Sequence, residues 1–328
     1  MMDEMRRRPT NKHNRGPVPH WGLMIISAMV VLGFVGILVG QAHQGQPTQS
    51  ADQGPSGPTP QAIARRQDRL ENQLQRYFET VTTDGTTGVS FYSLGAKPHS
   101  VAAKNTTTAQ LYQTGRLTAA ANAHTPIDSA STYKLFVAGY LFSLHHQGRY
   151  PWTAANREGL TRMIVYSEND FAEDFMDTNG LAGLNQFAHQ QQAFTPMFIA
   201  GETARTTTAS LTLILRHLAQ QKKPFNHAAD RQWLLGLMHK QVYRHGIPAG
   251  AQAAKPGTRV ADKVGFLGDT NNDAGIVTLP NGEQYILVVT THGPQPDGET
   301  GFKHIAQITQ HVQKMVYNPQ IIQDLNNN

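Results

Sequence analysis

The sequence predicts an α+β domain, with its β-rich parts separated by a helical block, placed behind a single membrane-spanning helix. Three observations predict it. Helical periodicity dominates residues 131–220, β-rich runs flank that block at 87–93 and 258–291, and residues 21–40 form a charge-free apolar run. With 328 residues, 39% hydrophobic and 16% charged, the chain can bury one large core or two modest ones.

Twenty helical residues at about 1.5 Å each span about 30 Å, the thickness of a bilayer core, which residues 21–40 match. Residues 1–20 carry Arg6, Arg7, Arg8, Lys12 and Arg15 against Asp3 and Glu4, a net +3 out of +5 for the whole chain. This basic flank places the 1–20 tail in the cytoplasm and everything after residue 40 outside, a single-pass protein of the cell membrane. A cleaved signal peptide competes, since Gly40-Gln41-Ala42 fits a small-x-small cleavage site, but the apolar run exceeds the usual signal-peptide core. The remaining charge of +2 gives no footprint for nucleic acid. Residues 41–60, rich in Gln, Gly, Pro and Ser, read as a flexible tether, and 61–328 as the folded domain. The absence of cysteine excludes disulfides and Cys-based zinc sites and is compatible with export.

Within the domain, Ile63, Leu70, Leu74 and Phe78 mark an amphipathic helix over 61–80. A strand is expected over 87–93, ending at Gly95, and a second within 111–123. The run after Ser131 is apolar nearly all round, which describes a buried helix, and Gly148 and Pro151 end it. Helices follow at 154–166, 170–177, 181–190, 208–220 and 230–243. Strands are expected at 258–266, 274–278 and 284–291, the last two joined through Pro280-Asn281-Gly282, and a closing helix covers 301–316.

The chemistry starts at Ser131-Thr132-Tyr133-Lys134. If the helix begins here, the serine hydroxyl and the lysine amine lie on one face, three residues apart. A partly desolvated lysine can remove the hydroxyl proton and make the serine a nucleophile. Alone the motif is weak, because a serine cap and a surface lysine share this spacing. Two further sets support it: Ser167-Glu168-Asn169, and Lys263-Val264-Gly265 on a strand. Individually these read as a turn with local hydrogen bonds and as an edge-strand charge, and Glu168 as a solvated carboxylate. The fifteen histidines form no His-Glu-x-x-His pattern and read as surface positions, so no metal or cofactor is expected.

Ser-x-x-Lys, Ser-x-Asn and Lys-x-Gly in this order resemble the serine β-lactamase and penicillin-binding protein superfamily, and class A β-lactamases in particular. Arg205-Thr206-Thr207-Thr208 and Arg244 to Gly250, ahead of Asp262-Lys263, extend the similarity over most of residues 61–317. The resemblance implies a five-stranded antiparallel sheet flanked by helices, with a helical subdomain at about 131–220 and the site in the cleft between them. It also implies roles. Ser131 would be acylated, Lys134 would accept its proton, Ser167 would relay protons and Lys263 would set the field. Asn169 would bind a substrate amide, while the backbone N–H groups of Ser131 and Phe266 form an oxyanion hole that needs the close approach of Gly265. The implied partner is a β-lactam or a D-amino-acid-containing peptidoglycan peptide in a bacterial setting.

Two departures qualify this. Val264 stands where the family has Thr or Ser, removing a hydroxyl that helps hold a substrate carboxylate. Residues 178–201 contain no acid to activate a deacylating water, and Glu202 lies too close to the Arg205 segment to match that residue. Slow release of any acyl-enzyme is therefore expected. The alternative is a catalytically idle β-lactamase-like module that binds wall fragments or a protein partner.

Overall fold

A computed structural model describes residues 57–293 and 300–327. The expected tail, the membrane span and the tether up to residue 56 lie outside the described residues. Among the described residues no helix is long and apolar enough to cross a membrane.

Helix α1 (Pro60–Val81) starts on Thr59, whose side chain accepts a hydrogen bond from the Ala62 N–H at 3.2 Å, with Pro60 in the first turn where no N–H is needed. Its stripe of Ile63, Gln67, Leu70, Leu74 and Phe78 is buried. Strand β1 (Thr87–Ala96) follows, then the short helices α2 (Val101–Lys104) and α3 (Thr106–Leu111), strand β2 (Thr118–Ala121) and strand β3 (Ile127–Asp128). The helical block contains α4 (Lys134–His146), α5 (Ala154–Thr161), α6 (Asp170–Asn179) and α7 (Leu181–Gln190). After β4 (Arg205–Thr206) come α8 (Thr208–Ala219), α9 (Ala228–His239) and α10 (Ile247–Ala254). The meander β5 (Arg259–Leu267), β6 (Thr270–Thr278) and β7 (Glu283–Thr291) is closed by α11 (Thr300–Val316) and α12 (Pro319–Asn326).

Five of the strands form one antiparallel sheet in the order β2-β1-β7-β6-β5. The two faces of the sheet support separate cores, as strand alternation requires. Val89, Phe91, Val260, Val264, Val277, Tyr285 and Leu287 pack with α1, α10, α11 and α12. Ala261, Ala274, Ile276, Ile286 and Val288 pack with α4 to α9. The helical block thus extends past residue 220 to include α9.

Several boundaries depart from the sequence reading. Only Thr118–Ala121 of the stretch 111–123 is a strand, because Asn105 caps α3 by accepting from Thr108 N–H at 2.8 Å and Leu111 and Tyr112 enter the core. The helix expected over 154–166 leaves α geometry at Arg162 and finishes as a wider π turn through Tyr166. The helix expected to reach Tyr243 stops at His239, since the following segment turns back: Val242 N–H donates to Val165 O at 3.1 Å and Gln241 Nε2 to Ile164 O at 3.3 Å. Strand β6 begins at Thr270, four residues early, because ladder pairing with β5 and β7 outweighs the polar character of Asn271, Asn272 and Asp273.

Two features of β5 position the site. As an edge strand it presents its outer side to a 3₁₀ turn at Ala130–Tyr133, and Gly265 is where they meet. A Cβ there would lie 2.6 Å from Ser131 N, 2.8 Å from Ser129 O and 2.9 Å from Thr132 N, all backbone atoms. Beneath α10, on the opposite face, the fully buried carboxylates of Asp262 and Asp273 neighbour Arg244. Arg244 pairs with Asp262, and Asp273 accepts the Ile247 N–H at 2.8 Å. Burial pushes Asp273 up to about 7, and burial together with the Asp273 charge raises Asp262 well above the carboxylate range.

Gly265→Ala should therefore destabilise the fold by about 1–3 kcal/mol in urea unfolding. Gly236→Ala, in α9 with no atom within 4 Å of the new Cβ, should be neutral or stabilising by up to about 1 kcal/mol. The buried carboxylates predict a pH slope. With its folded pKa raised, Asp273 binds more protons folded than unfolded between its ordinary value of 3.8 and about 7, so its contribution is present at low pH and is lost as pH rises through that window. Asp273→Asn should flatten that part of the stability–pH curve measured by chemical denaturation.

Candidate active site

The N-terminus of α4 supplies two groups. Ser131 lies in the 3₁₀ turn, one turn before the helix, and Lys134 is the first residue of α4. The helix can bury Lys134 because Leu135, Phe136, Val137, Ala138, Leu141 and Phe142 are themselves buried around its circumference. The backbone entering this turn is strained, with Ala130 at φ 42°.

Lys134 Nζ donates to Ser131 Oγ at 2.9 Å, to the Ser167 carbonyl at 2.7 Å and to Asn169 Oδ1 at 2.6 Å. These three acceptors use the full donor capacity of an ammonium. Burial lowers the Lys134 pKa to about 8, against the opposing field of Glu173, Asp170 and Glu168. An amine in that range is neutral often enough near neutral pH to take a proton from the hydroxyl it already touches.

The second motif is delivered by the π turn. Its last residue hands over to Ser167 in left-handed conformation, φ 61° and ψ 22°, which directs the carbonyl to Lys134 and the hydroxyl to Lys263. Lys263 Nζ donates to Ser167 Oγ at 2.7 Å and to Val264 O at 2.7 Å. Because Ser167 Oγ accepts from Lys263, its own proton remains available for another acceptor. Burial, then the neighbouring Lys134 charge, pushes Lys263 well below the usual lysine range. Asn169 spends its carbonyl on Lys134, leaving its amide N–H groups for the cleft that it lines. Glu168 turns aside to Arg162 at 2.6 Å, as a half-exposed ion pair.

All seven sequence-selected residues therefore fall in one region, with Gly265 and Phe266 on β5 against the Ser131 turn. Val264 is different from expectation. Its side chain is wholly buried in the core beneath α10 and α11, so Val264 packs the fold and no part of it is exposed to the cleft.

The cleft has a volume of about 710 Å³ and is lined by Ser131, Asn169 and Phe266 together with the segment 198–204. That segment is held by Asn185, whose Oδ1 accepts from the N–H groups of Met197 at 2.9 Å and Phe198 at 3.0 Å. Phe198 also meets Tyr133 edge to face at 5.8 Å, so this wall is largely apolar. Three carboxylates reach the cleft: Glu202 from the same segment, and Glu173 and Asp177 from α6. Sequence reasoning sought an acid only in the loop and missed Glu173. The signal was its position four residues after Asn169, one helical turn along α6.

Residues 153–316, half of the chain, match the family described as the β-lactamase enzyme family. Among solved structures, PBP-A shares the fold with a TM-score of 0.58 and 20% identity, covering 78% of this chain and 96% of its own. The L158E mutant of PBP-A, solved as an acyl-enzyme complex with penicillin G, gives 0.56 at 20% identity, covering 78% and 97%. A β-lactamase from Sphaerobacter thermophilus gives 0.56 at 16% identity, also covering 78% and 97%. No curated protein matches the chain in sequence. With the matched half running from the helical block through the meander to α11, the chain belongs to the β-lactamase enzyme family, a serine hydrolase of the β-lactamase type.

Proposed function

We propose that the chain forms an acyl-enzyme on Ser131 from a β-lactam or a D-amino-acid-containing cell-wall peptide, and releases it slowly. The observation that carries this reading is the Lys134 ammonium, bonded at once to the hydroxyl of Ser131 and to both ends of the Ser167–Asn169 motif. Neutral Lys134 takes the Ser131 proton as Oγ attacks the carbonyl carbon. The developing oxyanion is received by the backbone N–H groups of Ser131 and Phe266, brought together at Gly265. Ser167, polarised by Lys263, passes a proton to the departing nitrogen, and the Asn169 amide holds the substrate's side-chain carbonyl.

Slow release is supported by the wall at 198–204, whose one acid, Glu202, is exposed, and by the absence of any acid from 178–201. Glu173 is the cleft carboxylate with the largest influence on Lys134. An anchored, extracytoplasmic enzyme, with residues 1–20 in the cytoplasm and 21–40 as the span, is supported by the apolar run and its basic flank.

Incubating the full chain with penicillin should add the mass of the intact drug, persist for many minutes, and fail with Ser131→Ala. Fast turnover of a chromogenic cephalosporin would overturn slow release. No adduct with any β-lactam, peptide or ester would favour the idle-module alternative. The acylation rate should rise with pH through about 8 and then level, because the base is the neutral form of a lysine whose pKa is lowered to about 8. Lys134→Ala should cost about 10²–10⁴-fold in that rate and abolish this pH step, as read by intact mass against time.

A further inference from the structure

The helical block brings His146 together with a pair far from it in sequence, His227 and Asp230, at a place remote from the Ser131 chemistry. His146 ends α4, His227 immediately precedes α9 and Asp230 lies in the first turn of α9. His146 Nε2 lies 2.8 Å from Asp230 Oδ2, and His227 Nδ1 lies 3.5 Å from the same oxygen. One ligand atom from each residue falls within 4.8 Å of the other two. The sequence reading treated the histidines as scattered surface residues, since no local spacing links positions 146 and 227.

We propose that His146, His227 and Asp230 form a structural site for a borderline divalent transition metal, Zn²⁺ foremost, which fastens the C-terminal end of α4 to the start of α9. Ligand atoms about 2.0–2.2 Å from a tetrahedral zinc stand roughly 3.3 Å from one another. The two separations to Asp230 bracket that value, so the site asks mainly for an adjustment between the imidazoles. His227 can supply it, being 62% exposed in its side chain, whereas Asp230, at 12%, is the fixed member. Two imidazole nitrogens and one carboxylate oxygen suit zinc, copper(II) or nickel(II) and disfavour calcium and magnesium, which take oxygen ligands. A cation here also meets the carbonyl end of α4, where helix dipoles favour positive charge, while Asp230 offsets the positive end of α9.

The site is too far from the nucleophile to take part in acylation. Lys134 and His146 occupy opposite ends of α4, about 18 Å apart at 1.5 Å per residue. Its effect is on the fold: a metal bound only by the folded chain raises the stability of the packing between α4 and α9. This inference is independent of the chemistry proposed for Ser131.

The test uses the full chain, stripped of metal and titrated with Zn²⁺ in competition with a chromophoric chelator, beside His227→Gln and Asp230→Asn. The wild type should bind one more equivalent of Zn²⁺ than His227→Gln, or bind it at least about tenfold more tightly. Its melting temperature should rise with Zn²⁺ while that of His227→Gln rises less, and Co²⁺ should give tetrahedral ligand-field bands that the variant lacks. Because His227 is exposed, its replacement leaves the fold intact for the comparison. Equal Zn²⁺ stoichiometry, affinity and thermal shift in wild type and His227→Gln would overturn the proposal, leaving a His146–Asp230 ion pair with adventitious metal on the other histidines.

Discussion

The arrangement depends on one buried lysine. Lys134 has no exposed surface, and a lone ammonium in that position would be strongly disfavoured. It is tolerated because its three hydrogens meet three acceptors, one from the 3₁₀ turn and two from the segment after the π turn. The same contacts that satisfy the charge join the nucleophile to the Ser-x-Asn motif. Desolvation in turn brings the amine near neutrality. Structural satisfaction and chemical readiness are therefore two aspects of a single burial, and Lys134 could not be moved to the surface without losing both.

The surroundings make that burial possible. Helix α4 is apolar nearly all round, and its Phe142 packs among Phe225, Trp152 and Trp233, with rings meeting at 4.9–6.2 Å. A helix fixed on all sides holds its first residue in place. On the other side, β5 fixes Lys263 and presses Gly265 against Ser131, so sheet and helical block share the site without either containing it whole.

Much of this was legible in the sequence where local chemistry and long-range packing agree. The stripe of α1, the all-round apolar α4 and the hairpin between β6 and β7 each declare themselves by periodicity or turn residues. The three polar motifs were legible because their spacing is local, even though their meeting is not. Features decided by tertiary partners were not. Asn271 to Asp273 look like a loop until the ladder claims them, and the π turn at 162–166 has an ordinary helical composition. Val264 looked like a lost ligand and is a core residue. Asp262 is charged by composition but buried by position, a contrast no window of neighbours records.

The backbone at Ser167 has a further consequence. A left-handed conformation is one that glycine adopts freely and serine adopts at some cost, so a glycine here would relax the chain. It would also leave Lys263 without its side-chain oxygen. Sturdiness and competence thus pull in opposite directions at this position. Gradual thermal improvement of such a protein would be drawn toward a variant that keeps its shape but loses its polar relay.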